Sequence, residues 1–197
     1  MWLQQVHGTA VIELDASTPE HAAEAADAAW TRTPGIACVV GAADCLPVLF
    51  AVRDGSAVAA AHAGWRGLAA GVLEATVRSL ARGAAAQPAD LIAWLGPCIG
   101  PRRFEVGADV LLAFGVQPRE ADQAHFRYAP RPDGAPRWHA DLQGLARDRL
   151  AALGIGAVTA DERCTCEDAS AFSFRRSATG QEPSGRMAAA VWIEARH

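Results

Sequence analysis

The sequence predicts a mixed α/β domain, in which short strands alternate with a few amphipathic helices. Three observations predict this class. The chain has 197 residues, of which 51% are hydrophobic and 20% charged, and this is enough for one buried core. Short apolar runs rich in Val, Ile and Phe are interrupted by Gly and Pro, as strands are. Between these runs, other segments carry apolar residues at helical spacing.

The N-terminal half is predicted to supply four strands and one helix. The strands are WLQQV at 2–6, IACVV at 36–40, LPVLFAV at 46–52 and SAVAAA at 56–61. The alanine-rich stretch 22–29 is predicted as helix or loop. The helix follows Gly67, because apolar residues then recur at helical spacing and Glu74 and Arg78 form an i,i+4 pair. Gly83 is its predicted C-cap.

The C-terminal half continues the alternation. Strands are predicted for LIAWLG at 91–96, AVTA at 157–160, AFSFR at 171–175 and RMAAAVWIE at 186–194. Helices are predicted for EVGADVLLAF at 105–114 and for DLQGLARDRLAALG, which Asp141 caps and Gly154 stops. The polar, Pro- and Gly-rich segment 117–137 is predicted to be a surface loop, and a second loop, 176–185, separates the last two strands.

The composition of the chain argues against several classes of function. A net charge of −4 and a pI near 5.8 give no indication of a basic surface that would bind nucleic acid. No apolar run reaches the length of about 18 residues that a membrane span needs, and no signal peptide is recognisable. Five cysteines, an odd number, predict free thiols in the reducing cytoplasm. We therefore expect a cytoplasmic protein with a small-molecule partner, and the sequence gives no indication of its oligomeric state.

Three residues suggest a metal site. His7 and His62 each end an apolar strand just before a glycine turn, and Cys45 stands at the start of LPVLFAV. Two imidazoles and a thiolate suit a three-ligand zinc site with an open fourth position. The separations are long, however, and no C-x₂-C spacing supports them. The residues alone therefore leave two interpretations open, a metal site or a buried cysteine beside two hydrogen-bonded histidines.

The remaining histidines and cysteines fit structural roles better. His125 and His139 fall in or beside the predicted loop and are expected at the surface. Cys164 and Cys166, one residue apart, are expected to be structural thiols. Cys98 in GPCIG does not match the zinc deaminase signature, which needs P-C-x-x-C and an upstream H-x-E.

Six longer motifs add a family resemblance. They are QQVHG, ADCLPVLF, AAAHAGWRGLAAGVLEATV, WLGPCIGPRRFEVGADV, DLQGLARDRL and FSFRR…GRMAAAVWI. In this order they resemble the YfiH/laccase-domain family over nearly the whole chain. The resemblance implies a single domain over 1–197 with layered mixed β-sheets flanked by helices, similar to the cytotoxic-necrotizing-factor-like cysteine hydrolase fold. It also implies that this chain lacks an N-terminal segment that full-length relatives carry.

The resemblance further implies an activity and a ligand set. Zinc, or copper as the alternative metal, would be held by His7, Cys45 and His62. The implied reaction is phosphorolysis of adenosine, inosine and methylthioadenosine, with adenosine deamination as a second activity. A nucleoside and phosphate are thus the expected partners, with no nucleic acid and no membrane.

Phosphorolysis requires groups that bind an anion. Arg66 follows the ligand His62 by four residues at a strand-to-helix turn, and we predict that it contacts phosphate or substrate. Arg175 is the second predicted contact. Asp44, next to Cys45, is predicted to act as a general base or as the partner of a ligand histidine.

Three other functions remain open. A copper oxidase acting on phenols is the first, although the chain has no H-x-H pair of the kind that multicopper sites use. A peptidoglycan-editing amide hydrolase, with Cys45 as nucleophile or ligand, is the second. An inactive or partner-dependent form is the third.

Overall fold

The structure is a computed structural model that describes residues 2–18, 24–180 and 183–195. Strands and helices are numbered along the chain. The strands are β1 (Val11–Glu13), β2 (Ala28–Thr31), β3 (Ala37–Ala42), β4 (Leu46–Val52), β5 (Val58–Ala63), β6 (Leu91–Leu95), β7 (Glu105–Val106), β8 (Phe126–Tyr128), β9 (Trp138–Ala140), β10 (Ala157–Ala160) and β11 (Met187–Trp192). The helices are α1 (Trp65–Ala70), α2 (Val72–Ala84), α3 (Ala108–Ala113), α4 (Leu142–Ala152) and α5 (Phe174–Ser177).

A mixed six-stranded sheet lies at the centre, with the strand order β1-β2-β5-β4-β6-β10. Its inner pairings are antiparallel, whereas the two outer pairings, β1 with β2 and β10 with β6, are parallel. A second sheet is the antiparallel pair β11-β3, and a third has the order β7-β9-β8. The mixed central sheet, the two antiparallel sheets and the flanking helices confirm the predicted α/β class.

The central sheet is sandwiched between α2 and the β3-β11 pair. Along β2 and β5, alternate residues such as Ala28 and Ala61 join a core cluster with the apolar face of α2. The residues between them, such as Ala29 and Ala60, pack against Cys38 and other side chains of β3. A strand presents alternate side chains to opposite faces, so both faces of β2 and β5 carry alanines. Because alanine is small, the layers on either side can approach these strands closely.

Three parts of the secondary-structure prediction differ from the structure. In the stretch 22–29, predicted as helix or loop, residues 22 and 23 lie outside the described residues and 24–27 are loop, but β2 begins at Ala28 because its alanines are buried on both faces. AFSFR was predicted as a strand and instead leads into α5, whose N-cap Ser173 accepts a hydrogen bond from the backbone N–H of Arg176. WLQQV forms only the isolated bridges Trp2 to Val39 and Gln4 to Ala25.

The predicted helices are confirmed with local changes. Of the helix predicted over 105–114, Glu105–Val106 instead form β7, and α3 begins at Ala108. Asp141 caps α4 through the backbone N–H of Gly144. The helix after Gly67 is broken by Gly71 into α1 and α2 and ends at Ala84, so Gly83 is not its C-cap. Gly83 is needed for packing instead, because a Cβ there would lie 1.9 Å from the Trp30 ring.

Pairing register brings several chain segments to one edge of the sheet. Leu46, the first residue of β4, is paired with Ala63, the last of β5. Ala28, the first residue of β2, is paired with Ala61. Residues just before β2 and β4 therefore meet residues at the end of β5. In the described part of the chain, no helix has the length and apolar character needed to cross a membrane.

Candidate metal centre

The three predicted ligands converge at this edge of the sheet. His62 lies near the end of β5, Cys45 directly precedes β4, and His7 lies in the segment before β1. One ligand atom from each of the three lies within 4.8 Å of the other two. Among the described residues 2–18, 24–180 and 183–195, this is the one such group of histidine, cysteine and acidic side chains.

The geometry of the triad is close to that of a metal site. The His7 Nε2 atom lies 3.8 Å from Cys45 Sγ, and the two imidazole rings meet edge to face with their centroids 4.9 Å apart. Bond lengths of about 2.1 Å to nitrogen and 2.3 Å to sulfur in a tetrahedral zinc site separate its ligand atoms by roughly 3.3–3.7 Å. His62 is buried, Cys45 is half-buried and His7 is exposed, so the site opens to solvent on the His7 side.

Asp27, which no sequence argument identified, organises both histidines. It is fully buried, and its Oδ1 accepts a hydrogen bond from Nδ1 of His62 at 2.8 Å. The same carboxylate accepts the backbone N–H groups of Val6, His7 and Gly8, at 3.2, 2.9 and 2.6 Å. Since an ionised carboxylate only accepts, His62 must carry its proton on Nδ1, which leaves Nε2 free to bind a metal.

The backbone around His7 is shaped by the same carboxylate. His7 has a φ of +60°, a left-handed conformation that is uncommon for a residue with a side chain. Three successive N–H groups can converge on one anion in this conformation, as they do on Asp27. The hydrogen bonds to the buried charge thus offset the strain and fix the orientation of the exposed ligand.

Gly64 supplies the space in which the ligands meet. A Cβ at this position would lie 2.7 Å from Cδ2 of His7 and 3.0 Å from Sγ of Cys45. Any side chain here would push the ligands apart, so the residue between β5 and α1 must be glycine.

Burial sets the protonation of two ligands. It raises the pKa of the Cys45 thiol to about 11, and the charge of Asp44 acts in the same direction, while the positive charges of Arg186 and Arg66 oppose it. Burial lowers the pKa of His62, against the hydrogen bond to Asp27. The imidazole is therefore neutral at pH 7, as a metal ligand must be, and the thiol must lose a proton when a metal binds.

Asp44, predicted as a base or as the partner of a ligand histidine, has other partners. It is buried with a φ of +81°, and its Oδ1 accepts the Thr165 hydroxyl at 2.7 Å. Its Oδ2 accepts the Ser173 hydroxyl at 3.0 Å and the backbone N–H of Arg175 at 2.6 Å. The carboxylate therefore links the turn before Cys45 to the C-terminal segment. The acid that is hydrogen bonded to a histidine of the triad is Asp27, not Asp44.

The guanidinium groups of the two predicted substrate arginines differ in their contacts with the rest of the protein. Arg66 is exposed, and its guanidinium lies 4.4 Å above the ring of Trp65. Arg175 donates from its guanidinium to the carbonyl groups of Arg103 and Glu105, at 3.1 and 3.2 Å. Much of its donor capacity is thus directed at the protein itself.

The other cysteines and histidines lie outside the triad. All five cysteines are free thiols. Cys98 and Cys164 form a β-bridge, and together they line a cavity of about 350 Å³ whose lining contains none of the three ligands. His125 and His139 are half-buried and hydrogen bonded, to Asp148 and Arg127 respectively.

Known proteins resemble this chain over nearly its whole length. A family model described as multi-copper polyphenol oxidoreductase laccase matches residues 1–194. A purine nucleoside phosphorylase of Pseudomonas aeruginosa is 50% identical over 196 residues, which is 98% of this chain and 74% of that protein. The purine nucleoside phosphorylase YfiH of Escherichia coli is 45% identical over 194 residues, or 98% of this chain and 73% of that one.

Solved structures show the same fold. A protein of Neisseria meningitidis is 40% identical with a TM-score of 0.82, and the YfiH protein of Bacillus licheniformis is 27% identical with a TM-score of 0.84. Each similarity covers 98% of this chain and 74% of the other.

Proposed function

Because the chain belongs to the family of multi-copper polyphenol oxidoreductase laccases, and two of its relatives are named purine nucleoside phosphorylases, we propose that it is a zinc-dependent purine nucleoside phosphorylase. The proposed substrates are adenosine, inosine or methylthioadenosine together with inorganic phosphate. We place the reaction in the cytoplasm, since five free thiols are typical of a reducing compartment.

The observation that carries the proposal is the triad of His7, Cys45 and His62 with the exposed Arg66 in the turn that follows. The donor set of two imidazoles and one thiolate fits zinc, because soft and borderline ligands in a three-ligand arrangement leave a fourth position open. Zinc bound there would supply a Lewis acid for an oxygen or nitrogen of the substrate.

The residues of the chain would hold the reactants around this position. The hydrogen bonds to Asp27 orient His62 and the His7 backbone, so the ligands need not rearrange when the substrate arrives. We propose that Arg66 binds phosphate through its planar N–H groups, which match phosphate oxygens in geometry and charge. Its stacking on Trp65 would limit the motion of the guanidinium.

Asp44 and Arg175 take positioning roles in this proposal. The carboxylate of Asp44 accepts three hydrogen bonds from within the protein. Its effect on the reaction would therefore come through the turn that presents Cys45. Arg175 would keep the segment around Glu105 in place through its bond to that carbonyl.

The alternatives are weaker on chemical grounds. A multicopper oxidase needs several histidine-rich copper sites, whereas the described residues bring together one three-ligand group. A hydrolase with Cys45 as nucleophile needs a thiolate, but burial raises the pKa of that thiol to about 11. Adenosine deamination stays a prediction from the family resemblance.

One assay separates these reactions. The purified protein is incubated with adenosine, with and without phosphate, and the products are separated by chromatography. We expect adenine and ribose 1-phosphate, formed only when phosphate is present. Inosine would reveal deamination, and turnover of neither kind would contradict the proposed function.

Metal analysis supplies the matched control. Cys45→Ala should lose both bound zinc and phosphorolysis, because one of three ligands is gone. Cys166→Ala removes another half-buried free thiol, outside the triad, and should keep both. Wild-type protein that holds no zinc after loading and dialysis would contradict the zinc dependence.

A further inference from the structure

Cys98 and Cys164 are two thiols outside the triad that lie side by side on neighbouring segments of the chain. They are partners in an isolated parallel β-bridge, and the carbonyl of Cys98 accepts the backbone N–H of Thr165 at 3.0 Å. Neighbouring strands lie about 4.8 Å apart. A disulfide bond joins Cα atoms that are about 4.4–6.8 Å apart. The backbone of this bridge therefore has the spacing that a disulfide bond needs.

The two sulfur atoms contact the same peptide group, which joins Ile99 to Gly100. The Cys98 thiol donates to the carbonyl of Ile99 with Sγ and oxygen 3.6 Å apart, and Sγ of Cys164 accepts the backbone N–H of Gly100 at 3.1 Å. Gly100 allows this approach, because a Cβ there would lie 3.1 Å from Cβ of Cys164. With both sulfurs on one peptide group, we expect rotation about the two Cα–Cβ bonds to bring them together.

A solvent-open cavity gives access to this pair. Both cysteines line the cavity of about 350 Å³, together with exposed residues such as Arg102 and Glu162. Cys164 is half-buried, whereas Cys98 is only 3% exposed. Burial also raises the pKa of the Cys98 thiol, so that it stays protonated at pH 7. A reagent that enters the cavity therefore meets the Cys164 sulfur first, and the N–H of Gly100 would stabilise negative charge on that sulfur.

The charged groups around the cavity indicate what kind of reagent it would accept. Basic and acidic side chains both line it, namely Arg102, Arg147, Arg163, Asp141, Glu162 and Glu167. Exposed ion pairs such as that of Arg102 with Glu167 can exchange partners at little cost. A small peptide with carboxylate and ammonium groups can therefore pair with both kinds of charge. Glutathione and its disulfide are peptides of this kind, and they set the thiol–disulfide balance of the cytoplasm.

We propose that Cys98 and Cys164 form a dithiol site that is oxidised by glutathione disulfide or a similar small peptide disulfide. The Cys164 thiolate attacks one sulfur of the reagent, so that a mixed disulfide forms and one glutathione leaves with the proton of Cys164. The Cys98 thiol then attacks the sulfur of Cys164, and a second glutathione leaves with the proton of Cys98. Two protein thiols are oxidised and one disulfide is reduced to two thiols, so atoms and electrons balance. The structure, in which all five cysteines are free thiols, is the reduced form.

The crosslink would join two segments that both hold Asp44. The backbone N–H of Ile99 donates to the carbonyl of Asp44 at 2.9 Å, and the Thr165 hydroxyl donates to its carboxylate at 2.7 Å. These two residues directly follow Cys98 and Cys164. A disulfide bond between the cysteines would therefore stabilise the turn that precedes Cys45 against unfolding. It would leave Cys45 itself, and hence the proposed zinc triad, unchanged.

Peptide mapping of the zinc-loaded protein tests the site. The protein is equilibrated with glutathione buffers of increasing disulfide fraction, free thiols are alkylated, and tryptic peptides are analysed by mass spectrometry without reduction. We expect the peptides 83–102 and 164–175 to become linked, with unchanged zinc content and with full reversal by dithiothreitol. Oxidised protein should unfold at a higher denaturant concentration than reduced protein. The absence of this link at any disulfide fraction, or a link that forms only as zinc is lost, would overturn the site.

Single substitutions assign the sulfurs and the order of the steps. Cys166→Ala is the matched control, because this free thiol is near in sequence but lies outside the cavity lining, and it should keep the link. Cys98→Ser should stop at the mixed disulfide, with one glutathione bound to Cys164 and no gain in stability. Cys164→Ser should bind no glutathione at this site. A disulfide bond that persists in Cys98→Ser, as one between Cys164 and Cys166 would, contradicts the proposed pair. If Cys98→Ser does not fold, the peptide maps of wild type and Cys166→Ala decide on their own.

Discussion

Asp27 and Asp44 are two buried carboxylates at the same edge of the central sheet, and they stabilise different parts of the structure. The partners of Asp27 are the side chain of one histidine ligand and the backbone around the other. The partners of Asp44 belong to a segment more than 120 residues away, at Thr165 and Ser173. The hydrogen bonds of Asp27 thus hold residues of the triad, and those of Asp44 hold the tertiary structure beside it.

The chemistry of the partners makes the difference testable. Asp27 faces three backbone N–H groups and an imidazole N–H, and the backbone groups can only donate. Asp44 faces two hydroxyl groups, which can donate or accept, and one backbone N–H. An amide in place of the carboxylate should therefore be tolerated at Asp44 and not at Asp27.

The largest effect is expected for Asp27→Asn. The new NH₂ group would face N–H donors, or would force His62 to carry its proton on Nε2, where the metal binds. We expect zinc affinity to fall by about 10- to 100-fold and the free energy of unfolding to fall by about 3 kcal/mol. Chelator competition measures the first, and denaturant unfolding of the zinc-free protein measures the second.

The spectrum of the cobalt(II)-substituted protein tests whether Asp27 positions the ligands. A changed ligand geometry should shift its absorption bands, which a purely structural role would leave in place. Asp15→Asn is the control, because among the described residues this exposed acid accepts hydrogen bonds from its own turn alone. Wild-type zinc affinity in Asp27→Asn would show that the hydrogen bond to His62 is not needed.

Asp44→Asn should have a smaller and different effect. The amide oxygen can keep the bonds from Ser173 and Arg175, and the amide nitrogen can donate to the Thr165 hydroxyl after that hydroxyl reverses. We expect the free energy of unfolding to fall by about 2 kcal/mol, because bonds to a charged acceptor are replaced by neutral ones. Zinc affinity should change much less than in Asp27→Asn, because Asp44 makes no hydrogen bond to the triad among the described residues. A loss of zinc equal to that of Asp27→Asn would remove the distinction between the two acids.

Thr165→Val should have the smallest effect. It removes one of the three hydrogen bonds to Asp44, and we expect the free energy of unfolding to fall by about 1 kcal/mol. Thr165→Ser keeps the hydroxyl and separates the loss of the hydrogen bond from the loss of the methyl group. Denaturant unfolding gives both values. If Thr165→Ser destabilises the protein as much as Thr165→Val does, packing of the methyl group, and not the hydrogen bond, matters at this position.

Features with a local cause could be predicted from the sequence. Helix α4 was found because Asp141, the apolar spacing and Gly154 are all short-range signals. His7 and His62 were selected because each ends an apolar run before a glycine. Cys45 and His62 converge because antiparallel pairing returns the end of β5 to the start of β4, and His7 joins them through the bond of its backbone N–H to Asp27. A strand-ending motif can indicate such residues but cannot show which of them meet.

Features that depend on distant partners could not be predicted. Strand β2 begins with two alanines, which have little strand preference, and burial between two layers decides their conformation. Asp27 lies within the same alanine run, and the only local signal was an acid among apolar neighbours. Arg186 lies over Gly41 of β3 because β11 pairs with β3, which no spacing in the sequence encodes.

The hydrogen bonds from the backbone around His7 to Asp27 also matter for how the triad assembles during folding. His7 and Cys45 are 38 residues apart, so closing this loop in an unfolded chain costs entropy that a metal ion would have to offset. The hydrogen bonds that Asp27 accepts from Val6, His7 and Gly8 join protein groups alone, so they offset part of this cost independently of a metal. We therefore expect the protein to fold with the triad already assembled when no metal is added. The supply of free ions would then help to decide which metal binds, since copper binds such donors more tightly than zinc.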